Sequence, residues 1–208
     1  MRRTLLPLLA LIAACKNEEA PSKHEKPAEP GRKLAGVYPE NFKCESIVTL
    51  EALGQLLGGT ARPIEGAMSP PRGIAAPCNY EVTGQATEYW TYDFDCRDGM
   101  KQRADALFEQ YRTESSANVQ KYNELSDAGA IKPTDAGIVI HAPESAGEVA
   151  VGAKGLDHHG QGLIFIDDDA PCYVRVVGPG FDRRVELAKL IAKNLTFANA
   201  PMTPRPMP

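Results

Sequence analysis

The chain has 208 residues, 24% of them charged, and a formal net charge of −4. That length leaves room for one ordinary domain with tails, and the mixed signs argue against a nucleic-acid binder, which carries a basic face. Mild acidity of this size is also what a solvated surface gives with no functional meaning.

The chain opens on Met1-Arg2-Arg3, and Leu5 to Ala14 is apolar apart from the ring of Pro7. A charged start, a short apolar run and the small residues Ala13-Ala14 describe a secretory signal peptide. Cys15 follows at once, so Leu11 to Cys15 resembles the lipobox of bacterial lipoproteins. In that family the cysteine thiol takes a diacylglycerol as a thioether, the preceding bond is cut, and the new amine is acylated, with palmitate as one such chain. The resemblance implies lipidation of Cys15. Each buried methylene adds about 0.8 kcal/mol of membrane affinity, and two chains give stable anchoring. The apolar run falls short of the roughly 20 residues that span a bilayer. The alternative is an ordinary signal peptide with Cys15 there by chance. Lys16 stands where, in the family, an acidic residue retains a lipoprotein at the inner membrane, which favours the outer membrane.

Lys16 to Lys33, KNEEAPSKHEKPAEPGRK, is charged and proline-bearing with almost no large apolar residue. It cannot bury enough surface to offset its ordering entropy and reads as a flexible tether. The expected organisation is a leader over 1–14, a lipidated tether over 15–37, one domain over 38–198 and a loose, disordered tail over 199–208.

Setting Cys15 aside, Cys44, Cys78, Cys96 and Cys172 remain. An even number in an exported chain points to two disulfides, with three connectivities open. Zinc is the rival, but no Cys-x-x-Cys pair exists and no histidine has a usual metal spacing from a cysteine.

Leu50, Leu53 and Leu57 recur at helical spacing, with Thr49 as cap and Gly58-Gly59 as stop. Gly54 weakens that helix by about 1 kcal/mol. Thr60 to Pro77 reads as a long loop. Cys78, Tyr80 and Val82 alternate, and so do Trp90, Tyr92, Phe94 and Cys96, giving two half-buried antiparallel strands with a hairpin at Gly84–Thr87. Met100, Ala104, Leu107, Phe108 and Tyr111 form a helical stripe, expected on the aromatic face of the sheet, with Asp98 as cap. Val119 to Leu125 extends that helix or forms a further turn. Gly137–His141 reads as a short strand, and Pro143–Gly147 as a turn. Glu148–Ala153 reads as a strand, Gly155–Gly160 as a turn, and Leu163–Ile166 and Cys172–Val177 as paired strands. A last helix covers Val185 to Leu195, with Asp182 as cap. The expected class is α+β: an antiparallel sheet of about five or six strands, two or three helices packed mainly on one face, and two disulfides.

In order, then, come a lipobox, a polar tether, Cys44 before a leucine-rich helix ending in Gly-Gly, and Cys78-Asn79-Tyr80 opening a strand. Later come Gly147-Glu148-Val149-Ala150-Val151-Gly152, a hairpin, and Leu187-Ala188-x-x-Ile191-Ala192 in a helix. Over Cys44 to Leu195 this order resembles small bacterial envelope lipoproteins of unknown function, such as those common in actinobacteria. That resemblance implies a cystine-braced α+β domain with Cys44 bonded to Cys78, leaving Cys96 for Cys172. It supplies no catalytic residues.

Asp157-His158-His159 near Asp167-Asp168-Asp169 is the one cluster that resembles a metal site. The two groups flank one strand, which separates them by roughly 10 Å. No Gly-x-Ser-x-Gly elbow, P-loop or dinucleotide fingerprint occurs. Two functions follow. The first is a non-catalytic binding or assembly lipoprotein, held at the membrane by lipid on Cys15, with an envelope protein as partner, no nucleic acid and no cofactor. The second is a metal-dependent envelope enzyme using Asp157, His158 and His159.

Overall fold

Thr49 and Gly58 bound the first helix as their chemistry dictates. In the computed structural model, Thr49 Oγ1 accepts the Ala52 N–H at 3.2 Å, and Gly58 closes α1 (Leu50–Leu57) with φ +73°. Gly54 is required inside that helix, because a Cβ there would strike the carbonyl of Gly59. The structure describes residues 34–66, 69–131, 146–158 and 161–207. The leader with Cys15, the tether over 16–33, the Gly137–His141 strand and His159 lie outside them. Everything described belongs to one compact unit, Lys33–Pro208.

That unit is α+β. Strands β1 (Leu34–Ala35), β2 (Thr60–Pro63), β3 (Cys78–Thr83), β4 (Thr87–Asp95), β5 (Gly147–Val149), β6 (Lys154–His158), β7 (Gly162–Ile166), β8 (Tyr173–Val177) and β9 (Arg205–Pro206) accompany three helices. Seven strands form one antiparallel sheet in the order β2-β3-β4-β8-β7-β6-β5. It is two meanders joined at its centre by β4 and β8. The sheet exceeds the expected strand number because two segments expected as loop and turn are paired: Thr60–Pro63 lies along β3, and Lys154–His158 lies along β7.

Both disulfides sit where two parts of the sheet system must be held in register. Cys44–Cys78 ties the segment before α1 to the start of β3, and Cys96–Cys172 lies one residue beyond the Asp95–Tyr173 pair of β4 and β8. The connectivity that the lipoprotein resemblance implies is the one observed. Closing loops of 34 and 76 residues, each is worth about 2–5 kcal/mol.

Alternation divides the core in two. Trp90, Tyr92 and Phe94 of β4, with Leu163, Phe165, Val174 and Val176, face α1 and α3 (Phe181–Asn194), which bring Leu53, Leu57, Leu187 and Ile191. The buried hydroxyls of Tyr80 and Tyr92 pair at 3.1 Å, and Tyr92 donates to the Cys44 carbonyl at 3.3 Å. On the opposite face α2 (Met100–Asp127) lays Met100, Ala104 and Phe108 on Leu156, Ile164, Ile166 and Tyr173. Two of the three helices thus share a face. The helix expected on the aromatic row is the exception, because α1 and α3 already fill that side.

Three further expectations are corrected. Asp98 does not cap α2; Gly99 holds that place at φ +77°, and Asp98 binds Arg205 at 2.8 Å. Asp182 does not cap α3, whose N-cap is Gly180. Residues 199–207 are not a loose tail. Ala200 and Met202 are buried, Val37 N–H donates to the Ala200 carbonyl at 2.9 Å, and β9 pairs with β1. Pro201, Pro204 and Pro206 remove donors but leave these contacts intact, and the compact unit reaches past the expected start at Tyr38 to take in Leu34–Val37.

Candidate functional site

A strand with aromatic residues on one side offers its alternate positions to the other. On β4 those positions are Asp93 and Asp95; on β8 they are Tyr173 and Arg175. The register sets Asp93 against Arg175 and Asp95 against Tyr173. Beside them runs the N-terminal half of α2. Between helix and sheet lies a cavity of about 540 Å³, lined by Asp93, Arg97, Arg103, Leu107, Tyr111 and Arg175 among others, with Ile74 and Met100 closing it.

The charges inside it are ordered. Arg175 donates from Nε and Nη2 to one oxygen of Asp93, at 3.0 and 2.8 Å. Arg97 grips Asp95 with Nε at 2.9 Å on one oxygen and Nη2 at 2.7 Å on the other. Among the described residues the Arg103 side chain makes no hydrogen bond or close ion pair, though its charge helps to lower the Asp95 pKa. Burial raises the Asp93 carboxyl above the usual aspartate range, and Arg175 offsets this only in part. The asymmetry follows from depth: the Asp93 side chain is 18% exposed and that of Arg175 41%. Burial works against the Arg175 charge as well, but Asp93 outweighs it and holds the guanidinium pKa up. At Asp95 burial also pushes upward, but the bonds from Arg97 prevail and hold the carboxyl below its ordinary value. Burial, then the neighbouring Tyr111, raises the Tyr173 phenol well above its ordinary value.

The cluster proposed from sequence is dispersed. Because Asp157 and His158 are successive residues of a strand, they point to opposite faces. Asp157 accepts two bonds from Arg184 of α3, at 2.9 and 2.8 Å. His158 lies against Tyr111 of α2, ring centres 5.6 Å apart. Asp167 accepts the backbone N–H groups of Asp169 and Ala170, and Asp169 accepts that of Phe197. Among the described residues no group of three His, Cys, Asp or Glu side chains is placed to hold a metal ion. Cys44, Cys78, Cys96 and Cys172 are all committed to disulfides.

Sequence reasoning did not find the groove. Its signal was present in Tyr-Val-Arg-Val-Val, residues 173–177, where Arg175 interrupts an apolar strand and requires a partner such as Asp93.

Comparison with family models, with curated proteins and with solved structures gives no match.

Proposed function

We propose that the protein is a non-catalytic binding or assembly lipoprotein of the bacterial envelope, anchored by lipid on Cys15 and displayed from the outer membrane. One observation carries the reading: Ala13-Ala14-Cys15 ends an apolar leader ahead of a domain braced by two cystines. Disulfides persist in oxidising compartments, which is where a lipobox sends its chain. Among the described residues no helix is long and apolar enough to cross a membrane, so a lipid at Cys15 would supply the attachment. The polar stretch Lys16–Lys33 suits a spacer between bilayer and domain.

The test is metabolic labelling in a bacterial host with an alkyne-bearing palmitate, followed by fractionation. The full chain is expected to carry the label and to sediment with membranes; Cys15→Ser is expected to lose both. An unlabelled, uncut leader in the full chain would end this reading.

A further inference from the structure

We infer that the groove between α2 and strands β4 and β8 binds a small organic anion, one carboxylate or phosphate on a compact apolar body. The inference rests on reading the domain as a binding module; it does not depend on the anchor.

Charge selects the sign. Three guanidiniums, Arg97, Arg103 and Arg175, share the cavity with two carboxylates, Asp93 and Asp95. Both carboxylates are already held by arginines. The arginines are not exhausted, since a guanidinium offers five N–H donors in a planar fork that matches carboxylate and phosphate. Nη1 of Arg175, Nη1 of Arg97 and the guanidinium of Arg103 hold no hydrogen bond among the described residues, although the Arg103 charge acts through space on Asp95. The groove is therefore locally positive on a chain whose net charge is −4.

The helix adds to this. No side chain caps α2, and its first turn has no acidic residue. Its positive end is thus left uncompensated, and its first residue, Met100, lines the same cavity. Asp98, the residue able to neutralise it, is turned away to Arg205.

The rest of the lining sets the body of the ligand. Met100, Leu107, Tyr111 and Tyr173 give an apolar wall beside the cations. At about 540 Å³ the cavity falls within the range of small-molecule pockets. It suits roughly ten non-hydrogen atoms, for which a dissociation constant between about 0.1 and 10 mM is expected.

The experiment titrates the chain from Lys16 to Pro208, which contains the whole compact unit and no lipid, by backbone amide NMR. The probes are 4-phenylbutyrate, 2-phenylethyl phosphate and the neutral 4-phenylbutanamide. At least one anion is expected to bind saturably, about tenfold more tightly than the amide, with shifts centred on residues 93–111 and 173–175. The tighter anion assigns the head group. Arg103→Gln, an exposed change that breaks no side-chain hydrogen bond and removes only a through-space charge on Asp95, is expected to weaken the anion about two- to fivefold and leave the amide unchanged. Lys101→Gln, on the same helix but outside the cavity, is expected to change neither. Absence of saturable anion binding up to about 10 mM, equal affinity for acid and amide, or an unaltered affinity in Arg103→Gln would overturn the inference. Lipid on Cys15 with no anion bound defeats this inference alone. Anion bound with Cys15 unmodified leaves it standing and removes the anchor.

Discussion

On one side of β4, Trp90, Tyr92 and Phe94 meet Leu53 of α1 and Leu187 and Ile191 of α3. On the other side the same strand turns Asp93 and Asp95 toward arginines, and α2 covers only the neighbouring β6–β8 portion with Met100, Ala104 and Phe108. One side excludes water over a continuous apolar layer; the other keeps charge and a cavity. A protein that must both stay folded and keep a polar cleft can divide those tasks by period-two alternation alone. The division is also visible along α2. Its 28 residues extend about 42 Å. Yet its buried positions are Met100, Ala104, Phe108 and Ser115, all in the first sixteen residues.

The largest expected effects test that division directly. Trp90→Ala empties the middle of the aromatic layer and removes a ring that also stacks under Arg183. It is expected to cost about 3–5 kcal/mol, read by urea unfolding. Phe108→Ala, equally buried, is expected to cost nearer 3 kcal/mol, because α2 relaxes onto the sheet more easily than a filled core does. Hydrogen exchange on that variant is expected to show α2 opening before the sheet. Should Phe108→Ala be the costlier of the two, α2 and not the aromatic layer would be the main support of the fold.

A smaller effect separates the faces by pH. Burial raises the Asp93 pKa, so the folded protein holds that proton more tightly than the unfolded chain does. Its contribution is fully present below the ordinary aspartate value of about 4 and is lost as pH rises through the raised folded value. Asp93→Asn cannot ionise. It is expected to equal the wild type in acid and to become the more stable of the two above that window, by less than the Phe108 change. Parallel stability–pH curves for the two proteins would mean that Arg175 fully offsets the burial of Asp93.

Periodicity made the well-packed face legible. Thr49, the leucines of α1, the aromatic row and the stripe of α3 all follow patterns that burial enforces, and they fold as those patterns imply. The charged face was less so, since a carboxylate on the far side of a strand reads the same whether it meets water or an arginine eighty residues away. Glycines misled in a similar way. Gly155 and Gly160 suggest a turn over the stretch they bound, whereas Gly155 lies inside β6, where a Cβ would strike the carbonyl of Val149. The end of the chain failed for another reason. Its prolines signal irregular backbone, but Ala200 and Met202 are buried through long-range packing that no local window contains.

His158 offers the finest distinction between the faces. Its ring lies against Tyr111, both ring nitrogens are shielded from solvent, and neither has a hydrogen-bond partner among the described residues. An unpaired buried polar atom costs free energy that an apolar ring of similar shape does not. His158→Phe keeps the aromatic contact and removes both nitrogens, so it is expected to raise stability by up to about 1 kcal/mol. That outcome would mark His158 as part of the α2 packing layer. A ligand role makes the opposite demand: zinc would raise the melting temperature of the wild type and leave that of the variant unchanged, through mass action on the folded state. Equal melting temperatures with and without zinc in both proteins, together with a more stable variant, would assign this imidazole to packing and leave the Asp93–Arg175 groove as the polar feature of that face.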